Sequence, residues 1–149
     1  MIDINIINDY GNKLSFKNQL INSLIEYILS KYNVLDAQIS IIISNKTLLN
    51  KLKKDYFSLN HFTDVIAFNL ENDGEPLDGE IYISIDDVLD NSKQYKVTFN
   101  NEFKRIIIHG ILHLLGFEDE TEQDKNKMTE LENINMRFIS EEIIFLKQK

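Results

Sequence analysis

Two of the three histidines in the sequence, His109 and His113, are four residues apart in the apolar segment IIIHGILHLLGFEDE. Residues at this spacing lie on one face of a helix with their Cβ atoms about 6 Å apart, so both imidazoles can reach one metal ion. Burying two imidazoles among aliphatic side chains costs free energy unless each ring has a partner. The pattern therefore predicts a metal-binding helix.

A third ligand is expected just after this helix. Gly116 is typical of a left-handed helix end, and the chain can then turn back so that Asp119 reaches both histidines; Glu118, in the same turn, is the alternative. The spacing H-x3-H-x2-G-x2-D is that of the zincin-type motif H-E-x-x-H-x-x-G-x-x-H with two substitutions. Three protein ligands leave one position for water, which is typical of a catalytic zinc site.

The absence of cysteine restricts the ligands of any metal to His, Asp and Glu. Two imidazoles and one carboxylate favour a single zinc ion and leave nickel or another divalent cation open. Gly110 stands where the protease motif has its general-base Glu, and we expect this glycine to let backbone and substrate approach the metal closely.

No residue is an evident proton-transfer group, so the catalytic residues stay unassigned. Glu80 is a weak candidate that is better interpreted as a charge at a sheet edge; Asp64 is predicted to cap or hydrogen-bond at the start of its strand, and His61 to be an exposed loop residue.

The net charge of −8 argues against a general binder of polyanions, because nucleic-acid proteins usually have a basic surface. Any RNA must therefore bind a local patch. One basic cluster is present, formed by Lys46, Lys51, Lys53 and Lys54, with Tyr56 and Phe57 just after it. The candidate substrate-binding residues are Lys51, Lys53, Lys54 and Tyr56. The alternative is a solvated helix face followed by two core aromatics.

Alternating and helical apolar patterns predict the elements that position these residues. Strands are expected at 2–6, 37–44, 64–70 and 80–85, and the last two should form a hairpin across ENDGEPLDG. Five helices are expected: from a Ser15 cap to about 33, from an Asn45 cap through Leu52, from 86 or 87, from 98 to 115 and from 122 to 147. This pattern predicts one compact α+β domain over 1–149, in which a small mixed four-stranded sheet packs with about five helices, one of them a zincin-like metal helix.

The N-terminus has neither a basic start nor a sustained apolar run. We therefore expect no signal peptide, no membrane association and a cytoplasmic location.

Several segments resemble the YbeY-type endoribonuclease family. The family signature H-G-x-L-H-L-x-G-[YF]-D-H is matched at His109, Gly110, Leu112, His113, Leu114, Gly116 and Phe117. TDVIAF at 63–68 resembles T-[DN]-V-L-S-F, and GEIYIS at 79–84 resembles G-[DE]-I-x-I-S. Asp124, Met128 and Glu132 fit the tail D-x3-M-x3-E. The resemblance covers nearly the whole chain in order.

The resemblance implies a single-strand-specific, metal-dependent endoribonuclease that matures the 3′ end of small-subunit rRNA and acts in ribosome quality control in the bacterial cytoplasm. The implied partners are single-stranded RNA, small-subunit rRNA, small-subunit ribosomal proteins and an assembly GTPase. The implied fold is a compact α+β domain whose metal helix runs along the floor of a cleft.

Two positions depart from the family pattern. Its third ligand is usually His, and an aspartate at 119 would make the site less positive and acidify a bound water less. The Arg that usually follows the aromatic residue matching Tyr56 is Phe57 here, which cannot hold a phosphate. Two alternative functions therefore stay open: a non-catalytic, metal-stabilised ribosome-assembly factor, and a zinc peptidase, which the glycine at 110 argues against.

Overall fold

The computed structural model describes residues 1–11, 14–56 and 64–146, and within these ranges it contains six strands and five helices. The strands are β1 (Ile2–Asn8), β2 (Leu14–Phe16), β3 (Ala37–Ser44), β4 (Val65–Asn69), β5 (Leu77–Ser84) and β6 (Ile144–Leu146), and the helices are α1 (Asn18–Lys31), α2 (Lys46–Tyr56), α3 (Ile85–Gln94), α4 (Phe99–Leu114) and α5 (Glu122–Met136). Phe57 and His61 lie outside the described residues.

Four strands form a mixed sheet in the order β1-β3-β5-β4. β1, β3 and β5 are parallel, and β4 pairs antiparallel with β5, so that these two strands form the expected hairpin. Successive side chains of a strand point to opposite faces, and one face of this sheet is the core. There Ile41 lies beside Ile81, and neither is accessible to solvent. The predicted α+β class, with its four-stranded mixed sheet and five helices, is confirmed.

Helix α4 packs on the core face of the sheet and contacts β4, β5, α1 and α5. Its N-cap is Thr98, whose hydroxyl accepts a hydrogen bond from the Asn101 backbone N–H at 3.0 Å and so satisfies one of the free donors of the first turn. Most of its side chains are buried, as the run of Ile and Leu predicts.

Gly110 lies on the side of α4 that faces the sheet. A Cβ atom at this position would be 2.9 Å from Cγ2 of Ile81 and 3.4 Å from Cγ2 of Val65. The expectation that Gly110 lets substrate approach the metal closely is therefore wrong. The absence of a side chain at 110 instead allows α4 to pack closely on the sheet.

The expected bounds of the first and last helices are also wrong. Ser15 does not cap α1, since it lies in β2 opposite Phe145 of β6, and α1 begins only at Asn18. The last helix ends at Met136 rather than at 147. Asn100 of α4 helps to hold the chain that follows, because its side-chain oxygen accepts from the backbone N–H groups of Ile143 at 2.7 Å and Ile144 at 2.8 Å.

Other local predictions are confirmed. The strand expected at 37–44 has those bounds, and Asn45 caps α2 by accepting from the backbone N–H of Leu48 at 3.0 Å. Within the described ranges, no helix is both long enough and apolar enough to cross a membrane.

Candidate metal centre

His109 and His113 lie one turn apart on α4 and point to the same place. Their Nε2 atoms are 2.9 Å apart, and their ring planes are inclined by 74°. The two side chains are 20% and 25% exposed, so each ring is largely buried but keeps an edge open to solvent. This is the convergence that the four-residue spacing predicts.

The turn after α4 brings Asp119 to the same place. Gly116 has a φ of +100°, its N–H donates to the His113 carbonyl at 3.0 Å, and the N–H of Phe117 donates to the Leu112 carbonyl at 3.0 Å. These two bonds form a Schellman motif, the helix end that glycine favours. Thr121 then caps α5, so Asp119 lies in a short connection between two capped helix ends.

Asp119 Oδ2 lies 3.3 Å from Nε2 of His109 and 3.4 Å from Nε2 of His113. Donors bound 2.0–2.1 Å from a tetrahedral zinc ion are about 3.3 Å apart, so two of the three separations match such a site and the third is slightly short. Among the described residues these three form a group whose ligand atoms all lie within 4.8 Å of one another, and Glu118 is not part of it. The donor set therefore fits a divalent cation with two nitrogen ligands and one oxygen ligand.

Glu132 of α5 completes the surroundings of His109. Its Oε2 lies 2.6 Å from Nδ1 of His109, and its side chain is only 8% exposed. A carboxylate on the far nitrogen of a ligating histidine fixes the ring orientation and leaves the other nitrogen free to bind. Glu132 matches the family tail, but its role does not follow from the sequence, because the two residues in contact are 23 positions apart in the chain.

Opposing effects act on the pKa of His109. Burial lowers this pKa, but the hydrogen bond and charge of Glu132, together with the negative charges of Asp119 and Asp64, raise it by more. The net result is a pKa above the usual histidine value, because the pocket is rich in carboxylates. The same negative surroundings suit a bound cation.

A buried acid pair lies behind the histidines. Asp64, just before β4, accepts a hydrogen bond from Nδ2 of Asn91 at 2.8 Å, and its carboxyl group lies near that of Glu102 in α4. Burial is the main reason that the pKa of Glu102 rises to about 7, and the charge of Asp64 adds to it. Burial likewise raises the pKa of Asp64. Both carboxyl groups therefore hold a proton more readily than free acids do.

The four lysines of α2 do not form one surface. Lys51 and Lys54 are exposed, whereas Lys53 is 8% exposed and lies near the charges of Asp87 and Asp64. Nζ of Lys46 is 3.6 Å from an oxygen of Asp87.

The aromatic residue at the end of α2 is not in the core. Tyr56 is 68% exposed and meets Phe68 edge-to-face, with ring centroids 5.4 Å apart.

Glu80, in β5, interacts with the hydroxyl of Tyr82, and burial is the main reason that the pKa of Tyr82 is raised.

The fold is an α+β domain with a His/His/Asp group able to hold a metal ion, and comparisons with known proteins identify its family. The family model described as Endoribonuclease YbeY matches residues 6–140. The chain is 33% identical over 136 residues to Endoribonuclease YbeY of Karelsulcia muelleri, covering 91% of this chain and 96% of that protein. It is 36% identical over 121 residues to Endoribonuclease YbeY of Chloroherpeton thalassium, covering 81% and 85%.

A solved structure shares the fold. The solution structure of TM1509 from Thermotoga maritima superposes with a TM-score of 0.57 at 26% identity, covering 92% of this chain and 87% of that one. The chain belongs to the endoribonuclease YbeY family.

Proposed function

We propose that the chain is an endoribonuclease that cleaves single-stranded RNA with one divalent cation, zinc by preference, held by His109, His113 and Asp119. Membership of the family supports the reaction class. The observation on which the proposal depends is the convergence of the two Nε2 atoms and Asp119 Oδ2 at separations of 2.9, 3.3 and 3.4 Å. We further propose that residues 1–149 act as one metal-dependent hydrolase domain.

When bound, a cation at this centre supplies Lewis-acid chemistry at a phosphodiester oxygen and lowers the pKa of water. The residues of the chain set up that chemistry. His109 and His113 present lone pairs from a rigid helix, Asp119 adds one negative charge, and Glu132 keeps Nδ1 of His109 protonated through a 2.6 Å contact. The partial exposure of both rings leaves room for a substrate group to approach from one side.

RNA would bind along the exposed part of α2. Lys51 and Lys54 can contact phosphates, and Tyr56 has an exposed ring on which an unpaired base can stack, an interaction suited to single strands. We leave Lys53 out of this RNA-binding surface, because its side chain is buried and a phosphate can reach little of it. Because these contacts pair lysines with phosphates, we expect RNA binding to weaken as salt rises.

We propose small-subunit rRNA as the substrate in the cell, with cleavage contributing to 3′-end maturation and to ribosome quality control in the cytoplasm. Small-subunit ribosomal proteins and an assembly GTPase are the proposed protein partners. The family resemblance supports this part of the proposal, and the geometry of the site is compatible with it.

The decisive experiment incubates zinc-loaded protein with a labelled single-stranded RNA and with the same RNA annealed to its complement. We expect cleavage of the single strand, little cleavage of the duplex, and loss of at least 100-fold in rate for His113→Ala. Asp119→Asn should lose activity, whereas the neighbouring exposed Glu118→Gln, which removes the same charge, should retain it. Cleavage that survives His113→Ala would refute the proposal.

One alternative has a structural observation in its favour. The rings of His109 and His113 are three-quarters or more buried, as in a structural metal site that ties α4 to the turn before α5. A non-catalytic assembly factor of this kind would bind the cation, gain stability from it and leave RNA intact. The zinc peptidase has no such support. Position 110, where the peptidase motif has its general-base Glu, faces the sheet, and a Cβ atom added there would lie 2.9 Å from Cγ2 of Ile81.

A further inference from the structure

Glu132 is bound through both of its carboxylate oxygens. Oε2 lies 2.6 Å from Nδ1 of His109, while Oε1 lies 3.1 Å from Nη1 of Arg105. Arg105 is on α4, one turn before His109, so the same helix supplies the arginine and both histidines. Each oxygen of a carboxylate that is only 8% exposed therefore has its own partner.

Arg105 is itself held at a second point. Its Nη2 donates to Oδ1 of Asn133 at 2.8 Å, so the planar guanidinium spans two successive residues of α5. A guanidinium bound at two points cannot rotate freely about its axis. The arrangement fixes the plane of the Glu132 carboxylate and compensates its buried charge.

The contact has a defined effect on His109. The carboxylate oxygen is placed to accept a hydrogen bond from the N–H at Nδ1 of His109. The lone pair of this ring is then on Nε2, the atom that lies 3.3 Å from Asp119 Oδ2. A neutral imidazole otherwise divides its proton between both nitrogens, and only one of these tautomers can bind a cation at this place.

We propose that Arg105 and Glu132 are positioning residues that select the tautomer and ring orientation of His109 and thereby set the cation affinity of the centre. Arg105 acts through Glu132 and touches neither cation nor substrate. Asn133 strengthens the pair by anchoring the guanidinium. This inference rests on the proposed metal site.

The first test is calorimetric titration of the chelator-treated protein with Zn²⁺ at constant pH and salt. We expect Glu132→Gln to weaken binding 10- to 100-fold, the range found for outer-shell partners of histidine ligands, and Arg105→Ala to weaken it about 10-fold. Glu130→Gln, an exposed glutamate of the same helix, and Arg137→Ala, the other arginine of the chain, are the matched controls and should bind like the unmodified protein.

The double variant separates positioning from general stabilisation. If Arg105 acts only through Glu132, the Arg105→Ala/Glu132→Gln protein should bind Zn²⁺ no more weakly than Glu132→Gln alone, because coupled residues are not additive. Fully additive losses would overturn the proposal. Asn133 is exposed, so the Asn133→Ala protein is expected to fold. It should bind Zn²⁺ a few-fold more weakly than the unmodified protein. Equal affinity would contradict the role of Asn133 in holding the Arg105 guanidinium.

A spectroscopic measurement reads the tautomer directly. In ¹⁵N-labelled, metal-free protein at alkaline pH, where the ring is neutral, long-range ¹H–¹⁵N correlation should show the proton of His109 on Nδ1, and Glu132→Gln should shift the ring towards the other tautomer. An unchanged tautomer would overturn the proposal. If the unmodified protein binds no Zn²⁺, the proposed function and this inference fail together; if it binds Zn²⁺ tightly, responds to these variants and leaves RNA intact, only the nuclease proposal fails.

Discussion

Nε2 of His109 lies 2.9 Å from Nε2 of His113. Two imidazole nitrogens at this distance cannot both present bare lone pairs to each other, because the lone pairs repel. A proton on one nitrogen or a cation bound to both satisfies the contact. With Asp119 Oδ2 within 3.4 Å of both nitrogens, the cation is the arrangement that uses all three groups.

Removal of one imidazole should remove the metal. We expect the purified protein to contain about one equivalent of zinc by elemental analysis, and His109→Ala or His113→Ala to contain less than a tenth of that, since three donors are the minimum for a stable site of this type. Asp119→Asn should fall to an intermediate value. Glu118→Gln is the control, and equal zinc in all variants would contradict the assigned ligands.

Exposed and buried lysines of α2 should differ in their effect on RNA binding. Lys51→Ala and Lys54→Ala should each reduce the slope of log affinity against log salt by about 0.7, the value for one phosphate contact on a single strand. Fluorescence anisotropy with a labelled single-stranded RNA at several salt concentrations measures this slope.

Lys17→Ala, an exposed lysine at the start of α1, is the matched control and should leave the slope unchanged. Lys53→Ala should also leave the slope nearly unchanged, because the Lys53 side chain is only 8% exposed and offers little to a phosphate. A salt slope unaffected by Lys51→Ala and Lys54→Ala would place the RNA elsewhere.

Glu102 should make the protein less stable as pH rises. Its pKa is about 4.5 in an unfolded chain and about 7 in the fold, so the folded state binds the proton more tightly. The stabilisation is present below about pH 4.5 and is lost between there and pH 7. Asp64, Arg105 and Glu132 are the charged groups acting on it.

Glu102→Gln keeps an N–H donor towards Asp64 and removes this titration. Relative to the variant, the unmodified protein should lose on the order of 2–3 kcal/mol between pH 4.5 and pH 8, measured by urea unfolding in the presence of a chelator. Glu130→Gln should follow the unmodified protein. Identical pH profiles for the unmodified protein and Glu102→Gln would show that the carboxyl is not buried as described.

A side chain at 110 should disturb the packing of α4 on the sheet. Gly110→Ala places Cβ 2.9 Å from Cγ2 of Ile81, and overpacking of this kind costs about 1–3 kcal/mol, which exceeds the helix propensity gained from alanine, about 1 kcal/mol. Denaturant unfolding should therefore show a net loss.

Ile81→Ala should cost less in the Gly110→Ala protein than in the unmodified protein, because the smaller side chain removes the close contact, so the two losses are less than additive. Gly110→Glu, which restores the peptidase motif, should not yield a folded protein, because it buries a charge against Ile81. A stable Gly110→Glu variant that hydrolyses peptides would revive the peptidase.

The candidate ligands could be read from the sequence because their geometry is local. The i, i+4 relation of His109 and His113 is a property of any helix, and Gly116 marks the left-handed residue that ends it. The choice between Asp119 and Glu118 depends on the tertiary structure, since both lie in one short turn and only the actual backbone path decides which carboxylate points inward.

The groups behind the ligands could not be read in this way. Glu132 meets His109 across 23 residues and Glu102 meets Asp64 across the gap between α4 and the sheet, and neither pair leaves a periodic pattern. The pairing of β2 with β6 was missed for the same reason, since three-residue strands far apart in sequence carry too little alternation to be recognised.

The sequence alone determined the α+β class, the four strands of the main sheet and the helix that presents two imidazoles, because hydrophobic period and helix-end residues act over a few neighbours. The tertiary structure decided which carboxylate joins those imidazoles, which carboxylate orients His109, and that Gly110 faces the sheet. These are contacts between elements distant in the chain, and their free energy depends on burial and charge that exist only once the elements have packed together.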